Sequence, residues 1–312
     1  MAIFVWVLLG VLLLILASGT YVFVLACLRR KELPWLVEEE IKKTNFGKYS
    51  QCIAASHAWL KDNQATDVYV TSKDGLRLHG YWIPADNPRG TVLLVHGYRS
   101  TPLVDFGIAY PFYHALGMNI LVPQQRAHGE SEGKFITFGV KESEDIACWI
   151  DYHNNTFGEC QMVLSGLSMG ASTVLYLADQ VLPQNVKCII ADCGFTSPWE
   201  ILDKVYRATI HLPSAPSLLT ADLFARTFAG FSLKEKDSRQ TLKRARLPVF
   251  MIHGLKDNFV PSYMTQQGYD ACTGKKRLLL VEGAGHGVSF LKDKTNYTRQ
   301  IISFLEECLD DF

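Results

Sequence analysis

The most hydrophobic stretch of the chain is its N-terminal segment. From Ala2 to Leu28 no residue carries a charged side chain. As an α-helix this stretch would be about 40 Å long, enough to cross a lipid bilayer with some tilt. We therefore predict a transmembrane anchor over residues 1–28. A cleaved signal peptide and a buried core helix are the alternatives, although a signal peptide normally has basic residues ahead of a shorter apolar stretch.

Basic residues cluster directly after this apolar segment. The nearest are Arg29, Arg30, Lys31, Lys42 and Lys43. Because basic residues beside a membrane span are enriched on its cytoplasmic side, this asymmetry places the rest of the chain on the cytoplasmic face. Residues 29–64 are charged and helix-prone, and we interpret them as a juxtamembrane linker.

The period of the hydrophobic pattern changes after residue 64. Apolar and polar residues alternate over 67–71 and 76–83, with a Lys-Asp-Gly turn between them, which predicts an antiparallel hairpin. Mostly apolar runs then alternate with helical stretches, and these runs lie at 91–95, 118–122, 162–165, 188–191, 248–252 and 277–281. Such alternation is typical of an α/β fold with a mostly parallel sheet and helices on both faces. We predict one such domain over residues 65–312, closed by a helix at 289–309.

One segment, residues 195–245, interrupts this alternation. It is longer than a connection between a strand and a helix requires, and it has apolar helix-like pieces on both sides of a Leu-Pro-Ser-Ala-Pro sequence at 212–216. We interpret this segment as a helical cap over the sheet.

Composition and charge limit the kinds of ligand and the cellular compartment that this chain is suited to. The chain is 48% hydrophobic and 20% charged, which is typical of a globular protein, and its formal net charge is zero. No global field therefore favours nucleic acid as a ligand. The eight cysteines are far apart and form neither a C-x-x-C pair nor a cluster with metal-ligand spacing, which favours a reducing compartment over a disulfide framework.

A candidate nucleophile stands between an apolar run and a helix-forming run. The sequence there is Gly166-Leu167-Ser168-Met169-Gly170. A strand that turns sharply into a helix through Gly-x-Ser-x-Gly forms a nucleophile elbow, in which small flanking residues let the backbone hold the serine out of the sheet. Ser168 is the predicted nucleophile, and an ordinary glycine turn is the alternative.

An acid and a base follow later strands. Asp257 lies on the loop after the run at 248–252, and His286 lies in a glycine-rich loop after the last strand. His286 would act as general base, while Asp257 would fix its tautomer and stabilise the imidazolium. Asp192, at the end of another strand, is the rival for the acid. Three further histidines precede glycines at strand ends or in loops and are predicted to be structural: His96, His128 and His253.

The order Ser, Asp, His resembles that of the α/β-hydrolase superfamily. The chain from about Asp67 onward looks most like membrane-anchored bacterial hydrolases akin to the serine aminopeptidase and prolyl oligopeptidase-like branches. The matching pieces are His96-Gly97, residues 126–131, the elbow at 166–170, residues 257–261 and Gly285-His286. Relatives usually have an acidic residue at the position of Gln124 and glycine at that of Ala127, so this chain departs from the pattern there.

The resemblance implies an oxyanion hole and an activity. The hole would be formed by the backbone amides of Tyr98 and Met169, and no metal or cofactor would be needed. With an apolar cap near the membrane, we expect a carboxylesterase or lipase-like enzyme that acts on a small-molecule or lipid-like acyl substrate. A serine peptidase or acyl-protein thioesterase on the same triad is the alternative within the fold. A non-catalytic, membrane-tethered binding protein is the alternative of another class, although such a protein would usually have lost a triad member.

Overall fold

The structure is a computed structural model that describes residues 2–30, 42, 47, 50–310 and 312. The middle of the predicted linker lies outside the described residues, and its last part forms helix α2, Ser50–Asp62. Helix α1 covers Ala2–Cys27. Its stretch Ile3–Cys27 is long and apolar enough to cross a membrane, and most of its apolar side chains are exposed.

A single eight-stranded sheet forms the centre of the described chain. The strands are β1 Thr66–Thr71, β2 Arg77–Ile83, β3 Gly90–Val95, β4 Met118–Pro123, β5 Met162–Leu167, β6 Val186–Asp192, β7 Val249–Gly254 and β8 Lys276–Val281. Their order is β1-β2-β4-β3-β5-β6-β7-β8. The predicted hairpin is confirmed as β1 and β2, β2 is antiparallel to β4, and the other pairs are parallel.

Helices cover both faces of this sheet. Outside the cap region they are α3 Pro102–Phe106, α4 Tyr110–Ala115, α5 Val140–Phe157, α6 Met169–Leu175, α10 Ser262–Ala271, α11 Ser289–Lys292 and α12 Lys294–Glu306. Trp149 of α5 and Val174 of α6 pack in the core on one face, whereas Tyr110 of α4 and Phe304 of α12 pack in the core on the other. This arrangement confirms the predicted α/β architecture and brings the carboxyl ends of the parallel strands to one edge, where ligand sites of such sheets lie.

The strand predicted at 277–281 is confirmed as β8, which is the outermost strand of the sheet and has Leu280 exposed. One local prediction differs from the structure. The single helix predicted at 289–309 is wrong, since it is divided into α11 and α12 at Asp293. The backbone of Asp293 is not helical, and its carboxylate instead accepts a hydrogen bond from the Asn296 amide at 3.2 Å, which caps α12.

The long connection between β6 and β7 contains the segment predicted as a cap. Its elements are α7 Pro198–Ile210, α8 Ala215–Phe224, a π-helical turn Ala225–Ala229 and α9 Ser238–Leu242. Residues of this segment share one buried cluster with Met169 beside the elbow and with Phe23 and Cys27 of α1. The cap segment and the end of α1 therefore pack together beside the carboxyl edge of the sheet.

Candidate active site

Ser168 lies at the sharp turn between β5 and α6. Its dihedral angles are φ 55° and ψ −116°, outside the regions that residues other than glycine normally occupy. Gly170 permits the turn, since a Cβ at this position would lie 1.8 Å from the carbonyl oxygen of Val95. The backbone at Ser168 is therefore strained as a nucleophile elbow requires.

His286 links Ser168 to Asp257. Its Nε2 atom lies 2.8 Å from Ser168 Oγ, and its Nδ1 atom lies 2.6 Å from Oδ2 of Asp257. Because a carboxylate can only accept hydrogen bonds, Nδ1 donates to Asp257 and Nε2 is left to accept from the serine hydroxyl. The structure thus brings the three residues singled out from the sequence into one chain of hydrogen bonds.

Asp257 is held by more than His286. Its Oδ1 atom accepts hydrogen bonds of 2.9 Å from the amides of both Phe259 and Val260. Nε2 of His253 lies 3.3 Å from Oδ2. Burial alone would raise the pKa of Asp257, but the interactions with His253 and His286 outweigh it and hold this pKa well below its usual range. Asp257 is therefore a fixed carboxylate.

Asp192, the rival acid, has other partners. Its carboxylate accepts hydrogen bonds of 3.2 Å from Ser289 Oγ and from the Tyr297 hydroxyl. Burial raises the pKa of Asp192 above its ordinary value. Asp192 thus ties β6 to the C-terminal helices, while Asp257 holds the hydrogen bond to His286.

Two backbone amides adjoin Ser168. Met169 follows it directly, and the loop after β3 passes so closely that a Cβ on Gly97 would lie 3.3 Å from Cβ of Ser168. Tyr98 is the next residue on that loop. Neither the Tyr98 nor the Met169 amide donates a hydrogen bond to any residue that the structure describes. Both donors singled out for an oxyanion hole are therefore available beside the serine.

Asp105 anchors the loop that carries Tyr98. Its two carboxylate oxygens accept hydrogen bonds of 2.6 Å, one from the Gly97 amide and one from Ser100 Oγ. Burial raises the pKa of Asp105 to about 6, although these hydrogen bonds oppose the shift. No sequence motif points to Asp105, because α3 contains none and the contact exists only after folding.

His96 and His128 support the same loop. His96 Nδ1 donates to the Gly97 carbonyl at 2.9 Å, and its Nε2 accepts from the Gln125 amide at 2.9 Å. His128 Nε2 accepts from the Arg99 amide at 3.0 Å. Burial lowers the pKa of His96 far below its ordinary value and that of His128 to about 4, so both rings are neutral hydrogen-bonding partners near neutral pH.

The loop after β4 contains both departures from the family pattern, Gln124 and Ala127, and is held by hydrogen bonds. Ala127 has φ 60°, in the left-handed region that glycine adopts at lower cost. The side-chain oxygen of Gln124 accepts hydrogen bonds from His79 Nδ1 at 2.8 Å and from the Glu130 amide at 2.7 Å. Gln124 thus supplies a neutral acceptor where relatives usually have an acidic one.

The end of α1 contacts this site through the loop after β3 that carries Tyr98, which we call the oxyanion loop after the role predicted for the Tyr98 amide. The Tyr98 hydroxyl donates to the Ala26 carbonyl at 2.8 Å, and the Arg99 guanidinium donates to the Leu28 carbonyl at 3.0 Å. The Ile136 amide donates to the Cys27 carbonyl at 2.7 Å. The membrane-compatible helix and the catalytic edge are therefore joined by direct hydrogen bonds.

One group of side chains has the spacing of a metal site. In the described part of the chain, ligand atoms of Cys193, Asp257 and His286 lie within 4.8 Å of one another. Burial raises the pKa of the Cys193 thiol well above its ordinary value, whereas a metal ligand must be a thiolate. Asp257 and His286 are also hydrogen-bonded to each other, so these side chains are better suited to acid–base chemistry than to binding a metal ion.

Comparisons with known proteins agree with the observed fold. A family model described as the alpha/beta hydrolase fold matches residues 90–226. The protein YqkD of Bacillus subtilis is 28% identical over 79% of this chain and 81% of its own. The protein bem46 of Schizosaccharomyces pombe is 23% identical over 77% of this chain and 76% of its own. Relatives therefore occur in a bacterium and in a yeast.

Solved structures share the fold. The esterase Pf2001 of Pyrococcus furiosus superposes with a TM-score of 0.64 over 80% of this chain and 96% of its own, at 24% identity. Residues 90–226 match the model of the alpha/beta hydrolase fold and the solved structures share it, so the chain has the α/β-hydrolase fold.

Proposed function

We propose that the protein is a serine hydrolase that cleaves carboxylic esters through an acyl-enzyme. The observation that carries the proposal is the continuous hydrogen-bonded chain from Ser168 Oγ through His286 to Asp257. The three side chains come from three loops at one edge of the sheet, and Ser168 is held in a strained backbone conformation. An arrangement of this kind has the parts that nucleophilic acyl transfer needs.

The proposed reaction has two halves. Ser168 Oγ attacks the ester carbonyl while His286 Nε2 takes its proton, and the amides of Tyr98 and Met169 stabilise the negative oxygen of the tetrahedral intermediate. His286 then gives the proton to the departing alcohol. In the second half, water attacks the acyl-enzyme by the same route and releases the acid. Asp257 keeps its negative charge throughout and stabilises the imidazolium.

An ester is favoured over a peptide by the surroundings of the site. The elements beside Ser168 that belong to the cap segment form an apolar cluster that includes Phe195 and Ile201. An apolar cluster beside the serine suits an apolar acyl group. The esterase Pf2001 shares the fold, which is compatible with this proposal.

A substrate panel tests the proposal. The full-length protein in detergent is assayed with acyl esters, acyl thioesters and peptide amides, beside Ser168→Ala. We expect esters to be cleaved with the highest kcat/KM and Ser168→Ala to lose nearly all turnover. Preferred cleavage of thioesters or peptides would overturn the ester assignment. No cleavage of any class would favour the non-catalytic binding protein.

We also infer that α1 anchors the protein in a membrane, with the catalytic domain on the cytoplasmic side. Phe23 and Cys27 are buried against the cap segment, so cleavage of α1 as a signal sequence would remove part of the packed structure. Arg29 and Arg30, with the lysines that follow, favour the cytoplasmic side. An intact mass that lacks α1, or labelling of the domain in intact cells by an impermeant thiol reagent, would contradict this placement.

A further inference from the structure

We propose that the cap segment carries a second membrane-contact surface, formed by α8 and the turns on either side of it, and that the acyl substrate enters from the adjacent lipid leaflet. The first part concerns a surface and is independent of catalysis, whereas the second rests on the proposed function.

Helix α8 has apolar residues both on its buried side and on its exposed side, while its polar residues Ser217 and Thr220 face α1. Its only charged residue, Asp222, is buried and accepts hydrogen bonds from the Leu233 amide at 2.7 Å and from Ser232 Oγ at 2.8 Å. One side of the helix, with Leu218 and Ala221, packs into the domain.

A second side of α8 packs against α1. Ser18 Oγ lies 2.8 Å from Ser217 Oγ, and a Cβ on Gly19 would lie 2.3 Å from Cβ of Thr220. Farther along, the ring of Phe23 lies 6.1 Å from that of Phe224. Small residues at the crossing allow the two backbones to approach closely, as they do between helices in membranes.

The third side of the cap segment is uncovered. Leu219 and Leu223 are 56% and 57% exposed, and Phe228, beside Phe23, is 61% exposed. Ile210 and Leu212, in the approach to α8, are also exposed. We call these five side chains the cap face. We infer that they continue the exposed apolar surface of α1, because the ring of Phe228 lies 6.3 Å from that of Phe23.

The position of the crossing along α1 fits a bilayer surface. The exposed apolar side chains of α1 begin at Ile3, and a hydrocarbon core of about 30 Å requires about 20 residues of helix. If the core begins near Ile3 it ends near Val22, so Ser18 and Gly19 lie about 5 Å inside its boundary. Interfacial helices insert their apolar side to about 5–10 Å. Helix α8 therefore lies at the depth that such helices occupy.

This placement brings the oxyanion loop to the membrane surface. Tyr98, next to Gly97 beside Ser168, is hydrogen-bonded to the Ala26 carbonyl at the end of the span. An acyl ester in the leaflet that contacts the cap face would thus reach Ser168 without crossing bulk water. The cavity lined by Tyr113, Leu167 and Phe290 measures about 30 Å³, which is too small for an acyl chain. We therefore place the approach of the acyl chain on the cap side.

A lipid photolabel tests the contact without reference to activity. The full-length protein is placed in phosphatidylcholine vesicles that contain a diazirine phosphatidylcholine, and labelled peptides are identified after illumination. We expect label on the peptide that contains Leu219 and Leu223 as well as on α1. The loop with Val181, which is 84% exposed but lies at the other edge of the sheet, should remain unlabelled. Label confined to α1 would overturn the membrane contact.

A pair of substrates tests the route of entry. Leu219→Asp combined with Leu223→Asp is compared with Val181→Asp, which adds a charge to an apolar exposed position away from the cap. For methylumbelliferyl oleate in the vesicles, the double variant should lose about tenfold in kcat/KM, while p-nitrophenyl acetate in water should be cleaved as before. Val181→Asp should change neither.

The other outcomes are distinguishable. Equal effects of the double variant on both esters, or no effect on either, would overturn the entry route. A cap face that binds a second copy of the chain would give a dimer in detergent that the double variant dissociates, with no lipid label at Leu219, and this would overturn the proposal. Absence of any ester cleavage by the wild type, with lipid label present at α8, would overturn only the proposed function and the entry route built on it.

Discussion

At the scale of single residues, Asp257 and Asp192 are both buried at the carboxyl edge, but only Asp257 contacts His286. We expect Asp257→Asn to lower kcat about 10⁴-fold, because an amide can donate to Nδ1 and so favour the wrong tautomer. Asp192→Asn, whose partners are Ser289 and Tyr297, is the matched control and should keep most of its kcat. Steady-state kinetics on one ester decide between them, and a larger loss at Asp192 would reverse the assignment.

The lowered pKa of Asp257 also predicts a pH dependence of stability. A carboxyl group whose pKa is lower in the folded than in the unfolded state stabilises the fold above its unfolded pKa of about 3.9, and this contribution is lost as the pH falls through the folded value. The melting temperature of the wild type should therefore fall more steeply than that of Asp257→Asn on acidification below about pH 4. Parallel curves of melting temperature against pH for the two proteins would show that the pKa of Asp257 is not lowered in the folded state.

Asp105 is a positioning residue for the oxyanion loop. Asp105→Ala removes the acceptor from both the Gly97 amide and Ser100 Oγ, so the Tyr98 amide loses its position. We expect kcat to fall about 10²-fold with little change in KM. Ser100→Ala, which removes one of the two contacts, should cost much less, and Asp105→Asn should recover part of the loss. A change in KM alone would assign Asp105 to substrate binding.

At the scale of elements, the crossing of α1 and α8 can be tested inside α1 itself. Gly19→Leu would force side-chain atoms into Thr220, where overpacking costs about 1–3 kcal/mol. Gly10→Leu is the control, since nothing lies within 4 Å of a Cβ at Gly10. In detergent we expect Gly19→Leu to lower the melting temperature by about 5 °C and Gly10→Leu to leave it unchanged or slightly higher. Equal melting temperatures would mean that α1 is not packed on the cap segment.

The period of apolar residues was sufficient to predict the main elements. Strands β3 to β7 are buried runs between helices, and a buried run is visible in sequence because both faces of the strand are apolar. The edge position of β8 was not predictable in this way. A strand that pairs with a neighbour on only one side can have the same short apolar sequence as a strand in the middle of the sheet. The break between α11 and α12 at Asp293 was not predictable either. It depends on the hydrogen bond from the Asn296 amide to the Asp293 side chain, which starts a new helix in place of continuing the first.

At the scale of the whole molecule, the sequence supplied the residues of the site but not their supports. Ser168, Asp257 and His286 each follow a predicted strand, and the carboxyl ends of parallel strands share one edge, so their meeting follows from the strand pattern. His253 was predicted as a structural histidine, but its contact with Asp257 was not. Asp105 stands in no motif, and its contacts depend on how α3 packs against the loop after β3. The docking of α1 on α8 likewise arises from small residues far apart in the chain, Ser18 and Ser217 among them.

The central claim is that Ser168 is the nucleophile of a serine hydrolase, and labelling with a fluorophosphonate tests it most directly. The full-length protein, Ser168→Ala and His286→Ala are incubated with the probe, and the modified residue is located by mass spectrometry. We predict a single adduct on Ser168 in the wild type, none in Ser168→Ala, and much slower labelling in His286→Ala, because the serine then has no base. An unlabelled wild type, or equal labelling of Ser168→Ala, would contradict the claim.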